Sequence, residues 1–188
     1  KLAAPDLEDT LSIPYAAGPI APVTAVDLDP GRIRHDPLFR ATFGATKQAV
    51  QAELVEVDFV GQTVTFHARA AKALANVSTK LEARIAQTPS LAKYVTGPLG
   101  GTFEWRPIAN TSRMSAHSYG IAIDIVVAES AYWEWDEQAG NFGWRNQIPE
   151  AVVEAFESEG FAWGGRWYHY DTMHFEYRPE LFDAGCRP

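Results

Sequence analysis

The segment Gly120-Ile-Ala-Ile-Asp-Ile-Val-Val127 constrains this chain most. Its alternation predicts a strand with Ile121, Ile123, Ile125 and Val127 on one side and Gly120, Ala122, Asp124 and Val126 on the other. The first face is a β-branched core row. The second face carries an acid among residues too small to cover it. An unpaired buried charge is very costly, so Asp124 needs either a hydrogen-bonded partner or a metal ion. His117 lies seven positions earlier, before a glycine that lets the chain turn, and is placed to reach back toward Asp124.

A second polar cluster lies in Trp163–Tyr177, which holds His169, Asp171, His174 and Glu176. A carboxylate a few residues before a histidine suits a hydrolytic metal site, where one group binds the ion and the other takes a proton from the water the ion has acidified. Taken together, His117, Asp124 and His174 offer three N/O ligands and leave a fourth position for water, the catalytic arrangement for zinc and not the structural one. Glu176 shares a face with His174 and is expected to orient that ligand. His169 is expected to hydrogen-bond the tetrahedral intermediate. The bland alternative is an aspartate satisfied by backbone amides beside an exposed histidine.

The pattern Ser115-x-His117-x-x-Gly120-x-Ala122-x-Asp124, followed by Asp171-x-x-His174-Phe175-Glu176, resembles the zinc D-alanyl-D-alanine carboxypeptidase and L-alanyl-D-glutamate peptidase family. These are the VanY-like peptidoglycan peptidases, with a hedgehog-type zinc site. Asp29-Pro-Gly-Arg-Ile-Arg34 and Gly160-Phe-x-Trp-Gly-Gly165 are similar to one branch, so the likeness spans roughly residues 28 to 183. The resemblance implies zinc on His117, Asp124 and His174, with Asp171 as general base. It also implies an arginine upstream of the first motif that shares the oxyanion with the ion; Arg106 sits best, and Arg113 is the second choice. Ser115 is expected to support the site or touch substrate. The implied substrate is a peptidoglycan stem peptide, and the implied location is periplasmic or secreted. The D-x-x-H-F-E form leans toward the L-alanyl-D-glutamate endopeptidase branch. A D-alanyl-D-alanine carboxypeptidase with the same site and a non-catalytic zinc-binding cell-wall module are the alternatives.

Composition narrows the partners. With 188 residues, 46% of them hydrophobic, the chain is long enough for one ordinary core. Its net charge of −8 comes from 24 acidic and 16 basic residues. No basic face is on offer for nucleic acid, nor a polybasic patch for anionic lipid. An acidic protein also gains no general attraction to an anionic wall polymer, so substrate capture has to be local. Cys186 is the only cysteine, which excludes an intramolecular disulfide. No apolar run approaches the 18 or so residues of a membrane helix. A monomer is expected, and the start at Lys1 reads as a processed or trimmed product.

The expected architecture is α+β: a small antiparallel sheet with helices packed on one face and zinc in the sheet groove. Residues 1–30 are expected to form an extended proline-rich arm without helix, and 31–188 the zinc peptidase domain. Arg32 and Arg34 alternate around Ile33 as on a strand edge. Short helices are expected over 38–44, 45–53 and 90–95, a strand over 54–60, and a turn at Gly61-Gln62. A scaffold helix is expected over 68–85, with Ala70, Leu74, Val77, Leu81 and Ile85 on its apolar stripe. Gly100-Gly101 reads as a turn entering a strand toward Arg106. Residues 129–146, with Trp133, Trp135 and Trp144, read as a long loop walling the cleft. A helix over 149–160 precedes the strand expected to deliver both Asp171 and His174. His35 and His67 fall outside any ligand spacing and are expected at the surface or core edge.

Overall fold

The computed structural model describes residues 5–108, 111 and 113–186. Its elements in chain order are α1 (Leu7–Leu11), α2 (Asp36–Phe43), α3 (Lys47–Ala52), β1 (Leu54–Phe59), β2 (Gln62–His67) and α4 (Ala68–Gln87). There follow β3 (Leu99–Gly101), β4 (Ala122–Val126), α5 (Trp133–Gln138), α6 (Glu150–Glu157), β5 (Phe161–Trp163) and β6 (His174–Tyr177). β1 and β2 form a separate hairpin, and a four-stranded antiparallel sheet runs in the order β3-β4-β6-β5. The fold is α+β, as expected, with two small antiparallel sheets in place of one.

The central pair of strands gives the sheet two chemically different faces. Ile123 lies opposite Phe175, and Asp124 opposite His174. Residues directly opposite each other on antiparallel strands point to the same face. Ile121, Ile123, Ile125 and Phe175 therefore enter the core, joined by Leu74, Val77 and Leu81 of α4 and by Val152, Val153 and Phe156 of α6. Phe175 stacks on Phe156 with ring centroids 3.9 Å apart. The opposite face carries Asp124, His174 and Glu176. The alternation in β4 and β6 is thus what separates hydrophobic stabilisation from chemistry.

Several local expectations need correction. The proline-rich arm is not helix-free: Asp6 and Asp9 cap each other's backbone at the start of α1, and Pro14 follows shortly after its end. A reciprocal capping box stabilises even one turn, and no proline falls inside it. Arg32 and Arg34 lie in turn and irregular backbone, not on a strand edge. The same holds beyond Gly101, where no strand continues to Arg106. The aromatic loop contains α5, whose start is stitched to the site segment by Trp133 N–H donating to the Tyr170 carbonyl at 2.9 Å. Asp171 precedes β6 in a turn that bridges to Tyr132.

The arm from residue 5 onward lies against the strands that follow α6. Tyr15 is buried with Ala162 and Leu181, donates to Glu157 at 2.6 Å and accepts from Trp163 N–H at 2.9 Å. His35 precedes α2 and its Nδ1 meets the Pro5 carbonyl at 2.8 Å. His67 is buried at the start of α4, where Nδ1 accepts from Arg69 N–H and Nε2–H donates to the Phe43 carbonyl. Among the described residues no helix is long and apolar enough to cross a membrane.

Candidate metal centre

His117 Nε2, His174 Nδ1 and Asp124 Oδ1 meet at the sheet's polar face. The nitrogens are 3.2 Å apart, and Asp124 Oδ1 lies 3.2 Å from His117 and 3.0 Å from His174. These three residues are brought together from stretches far apart in the chain, and they offer one ligand atom each within a compact group. A tetrahedral ion with bonds of about 2.0–2.1 Å spaces its ligand atoms about 3.3–3.4 Å apart. The observed triangle fits that spacing with little movement, and N, N and O donors are a set that zinc accepts.

Local structure explains why each atom points inward. Residues 116–119 form one tight turn, begun by Ser115 Oγ accepting from His117 N–H and ended by Gly120 at φ 64°. Glycine suits that left-handed conformation, and a Cβ there would stand 2.6 Å from Leu54 Cδ2 and so require that side chain to shift. The turn lets the seven-residue gap between His117 and Asp124 close. His117 Nδ1–H donates to the Thr102 carbonyl at 2.8 Å, which leaves its Nε2 lone pair for the centre. His174 is held the other way round: Nε2–H donates to Glu176 at 3.0 Å, freeing Nδ1. Gly100 lies so close to Asp124 that a Cβ there would come within 2.7 Å of the aspartate's own Cβ.

Glu176 is fully buried, yet three side chains surround it with four hydrogen bonds. Arg34 forks onto both of its oxygens, Arg178 Nη1 donates to Oε1 at 2.8 Å, and His174 takes the remaining side. Burial pushes the Glu176 carboxyl up, but Arg34, His174 and Arg178 together hold it well below its usual range. For His174, burial lowers the pKa, and the hydrogen bonds to Asp124 and Glu176 outweigh it, raising it to about 10. Asp124 is likewise raised by burial but held far below its ordinary value by the two facing imidazoles. Each of these shifts reports carboxylates arranged to attract positive charge at one point.

Asp171 shares this cleft, and its Oδ1 is sealed from solvent with no hydrogen-bond partner among the described residues. Burial, then the charge of Asp124, push its carboxyl up to about 7. Its placement depends on Gly164, whose carbonyl accepts from Asp171 N–H at 3.0 Å and whose missing side chain leaves room for the Asp171 backbone. The cleft encloses about 360 Å³ and is also lined by Ser115, Arg106 and Arg113. Arg106 pairs through Nε with Glu104 at 2.7 Å. Arg113 has no ion-pair partner among the described residues; burial and then the charges of Arg34 and Arg32 lower its pKa.

His169 is placed differently from expectation. It does not line the cleft that holds the three ligand atoms; its Nδ1–H donates to Asp29 at 2.7 Å and its backbone N–H to the same carboxylate at 3.0 Å. The groups that sequence reasoning did not foresee are Arg34, Arg178, Thr102 and Gly100. For Arg34 a signal existed in the alternating Arg-Ile-Arg of residues 32–34, but nothing local said which carboxylate, 142 residues away, would receive it.

Comparison with known proteins bears on the same segment. Residues 109–177, a little over a third of the chain, match a family model described as D-alanyl-D-alanine carboxypeptidase. No curated protein and no solved structure gave a significant match. The matched stretch contains all three ligand atoms, Asp171 and Glu176, and over it the chain is similar to the VanY-like D-alanyl-D-alanine carboxypeptidases.

Proposed function

We propose that the protein is a zinc-dependent peptidase that hydrolyses peptidoglycan stem peptides, with His117, Asp124 and His174 as the metal ligands. The observation that carries this reading is the triangle of ligand atoms with edges of 3.0–3.2 Å facing a cleft in which one Asp171 carboxylate oxygen has no partner among the described residues. Zinc in that triangle supplies Lewis acidity, lowering the pKa of a bound water toward about 7 and polarising the scissile carbonyl.

The chain's own residues do the rest. Asp171 accepts the proton of the attacking water as the new C–O bond forms, and returns it to the amine as the C–N bond breaks. Its raised pKa suits a group that must hold and release a proton near neutrality. Arg106 keeps both Nη atoms without hydrogen-bond partners among the described residues and is assigned to the developing oxyanion. Ser115 holds the His117 turn, and Glu176 fixes the ring of His174. Residues 31–188 form the peptidase unit in this reading. The arm before them braces it through Tyr15, and His169 acts through Asp29, outside the reacting atoms.

Within this class we favour cleavage of the L-alanyl-D-glutamate bond over removal of a terminal D-alanine, on the Asp-x-x-His-Phe-Glu form of the second motif. The protein acts as a monomer on the periplasmic or secreted side. Purified protein incubated with muropeptides, with and without a chelator, tests this directly. Mass spectrometry of the fragments should reveal new glutamate amino termini that vanish with chelation. Release of free D-alanine instead would move the assignment to the carboxypeptidase. Zinc binding without any fragment would leave only the non-catalytic module.

A further inference from the structure

Four guanidinium groups line the metal cleft of a chain whose net charge is −8. Two are accounted for: Arg34 is buried on Glu176, and Arg106 is tied to Glu104. Arg32 and Arg113 stand apart from them. Both line the metal cleft, and both also line a second cavity of about 420 Å³ beside it, whose far wall is Asp27, Asp29 and His169. Arg32 is clamped in place, with Nη1 on Asp29 at 3.1 Å and its guanidinium over the rings of Trp133 and Trp167 at 5.7 and 6.0 Å. Arg113 has no carboxylate partner among the described residues, and the nearness of two like charges raises the cost of its own charge. Asp29 compensates Arg32 on one side only, so the half-buried charge of Arg113 beside it favours an anion placed between the two.

Resting on the peptidase reading, we infer that Arg32 and Arg113 form a carboxylate subsite at the junction of the two cavities, so that the preferred peptide bears a free carboxylate beside the cut bond and continues past it into the second cavity. The second cavity gives the continuation room. Asp27, 81% exposed at its mouth, and the Asp29–His169 pair make that room suitable for an amine-bearing residue. A glutamate linked onward through its side chain has this shape, since its α-carboxylate branches off while the chain runs on. A terminal D-alanine would fill the arginine pair and leave the second cavity empty.

The test compares L-alanyl-γ-D-glutamyl-L-lysine with the same peptide carrying a carboxamide in place of the glutamate α-carboxyl. Binding is followed by tryptophan fluorescence to zinc-loaded Asp171→Asn protein, which keeps the peptides uncut, and kcat/KM is measured on the wild type. The carboxylate peptide should bind roughly tenfold or more tightly, the size of a charge-assisted hydrogen bond. Arg32→Gln and Arg113→Gln should each bring the two peptides level, while Arg32→Lys should keep part of the difference. Equal binding of the two peptides before any arginine is changed overturns the subsite, as does a preference that survives both glutamine variants. Wild-type cleavage of both peptides at the same kcat/KM keeps the peptidase reading and removes the subsite. An Arg32-dependent binding preference without cleavage by the wild type does the reverse.

Discussion

Gly164→Ala is a small change with a separable outcome. Where glycine occupies an ordinary conformation, alanine gains about 0.4–1 kcal/mol by narrowing the unfolded ensemble. Here a Cβ would collide with the Asp171 carbonyl oxygen and would stand 3.2 Å from Asp171 Cβ and 3.1 Å from the Trp167 ring. The obstructing oxygen is backbone and accepts from His174 N–H at 3.2 Å, so it cannot swing aside as a side chain would. Overpacking of this kind costs about 1–3 kcal/mol, which outweighs the entropic gain and leaves a net loss of about 1–2 kcal/mol. Relief requires the Asp171 turn to retreat by on the order of 1 Å, and a reacting group displaced that far loses about a hundredfold in rate. His117 and Asp124 come from segments the new methyl does not touch, and the His174 ring is held separately by Glu176, so zinc affinity should fall by less than about tenfold. Turnover of a stem peptide and competition for zinc with a chromophoric chelator measure the two quantities separately. A folded variant with undiminished kcat refutes the role given to Asp171, and a variant that loses zinc instead of rate refutes the independence of base and ligands.

Other perturbations probe the supporting structure. Glu176→Gln leaves Arg34 and Arg178 buried without their shared carboxylate, so stability should drop by about 3–5 kcal/mol in urea titration and zinc affinity by about 10–100-fold. Asp171→Asn should raise the thermal midpoint of the chelated protein at pH 8 but not near pH 4. The folded pKa of about 7 lies above the unfolded value, so the stability that protonation supplies is full at low pH and is lost as pH rises through 7. Equal gains at both pH values would sink that account. Val60 holds φ 50° in the two-residue turn between β1 and β2, where both central residues need positive φ and a β-branched side chain is strained. Val60→Asn should therefore stabilise the hairpin by about 1 kcal/mol after the lost apolar burial, visible as a higher midpoint in calorimetry.

Much of the site is legible in the residues because its determinants are local. A period of two puts Asp124 and His174 on one side of their strands and Ile123 and Phe175 on the other, whatever the rest of the chain does. Gly120 after His117 is likewise read locally, since the left-handed turn that ends there favours a residue without Cβ. What tertiary structure alone decided is how distant segments pair. Nothing near Arg34 indicates that it will cross to Glu176, and nothing near Arg106 or Arg113 tells which of them meets a carboxylate of the protein. His169 shows the limit most plainly. Its neighbours Asp171 and His174 sit in the metal cleft, yet the side chain turns to Asp29 of the arm. Periodicity assigns a side chain to a face, but the partner across that face is chosen by which charged groups the completed core leaves desolvated together.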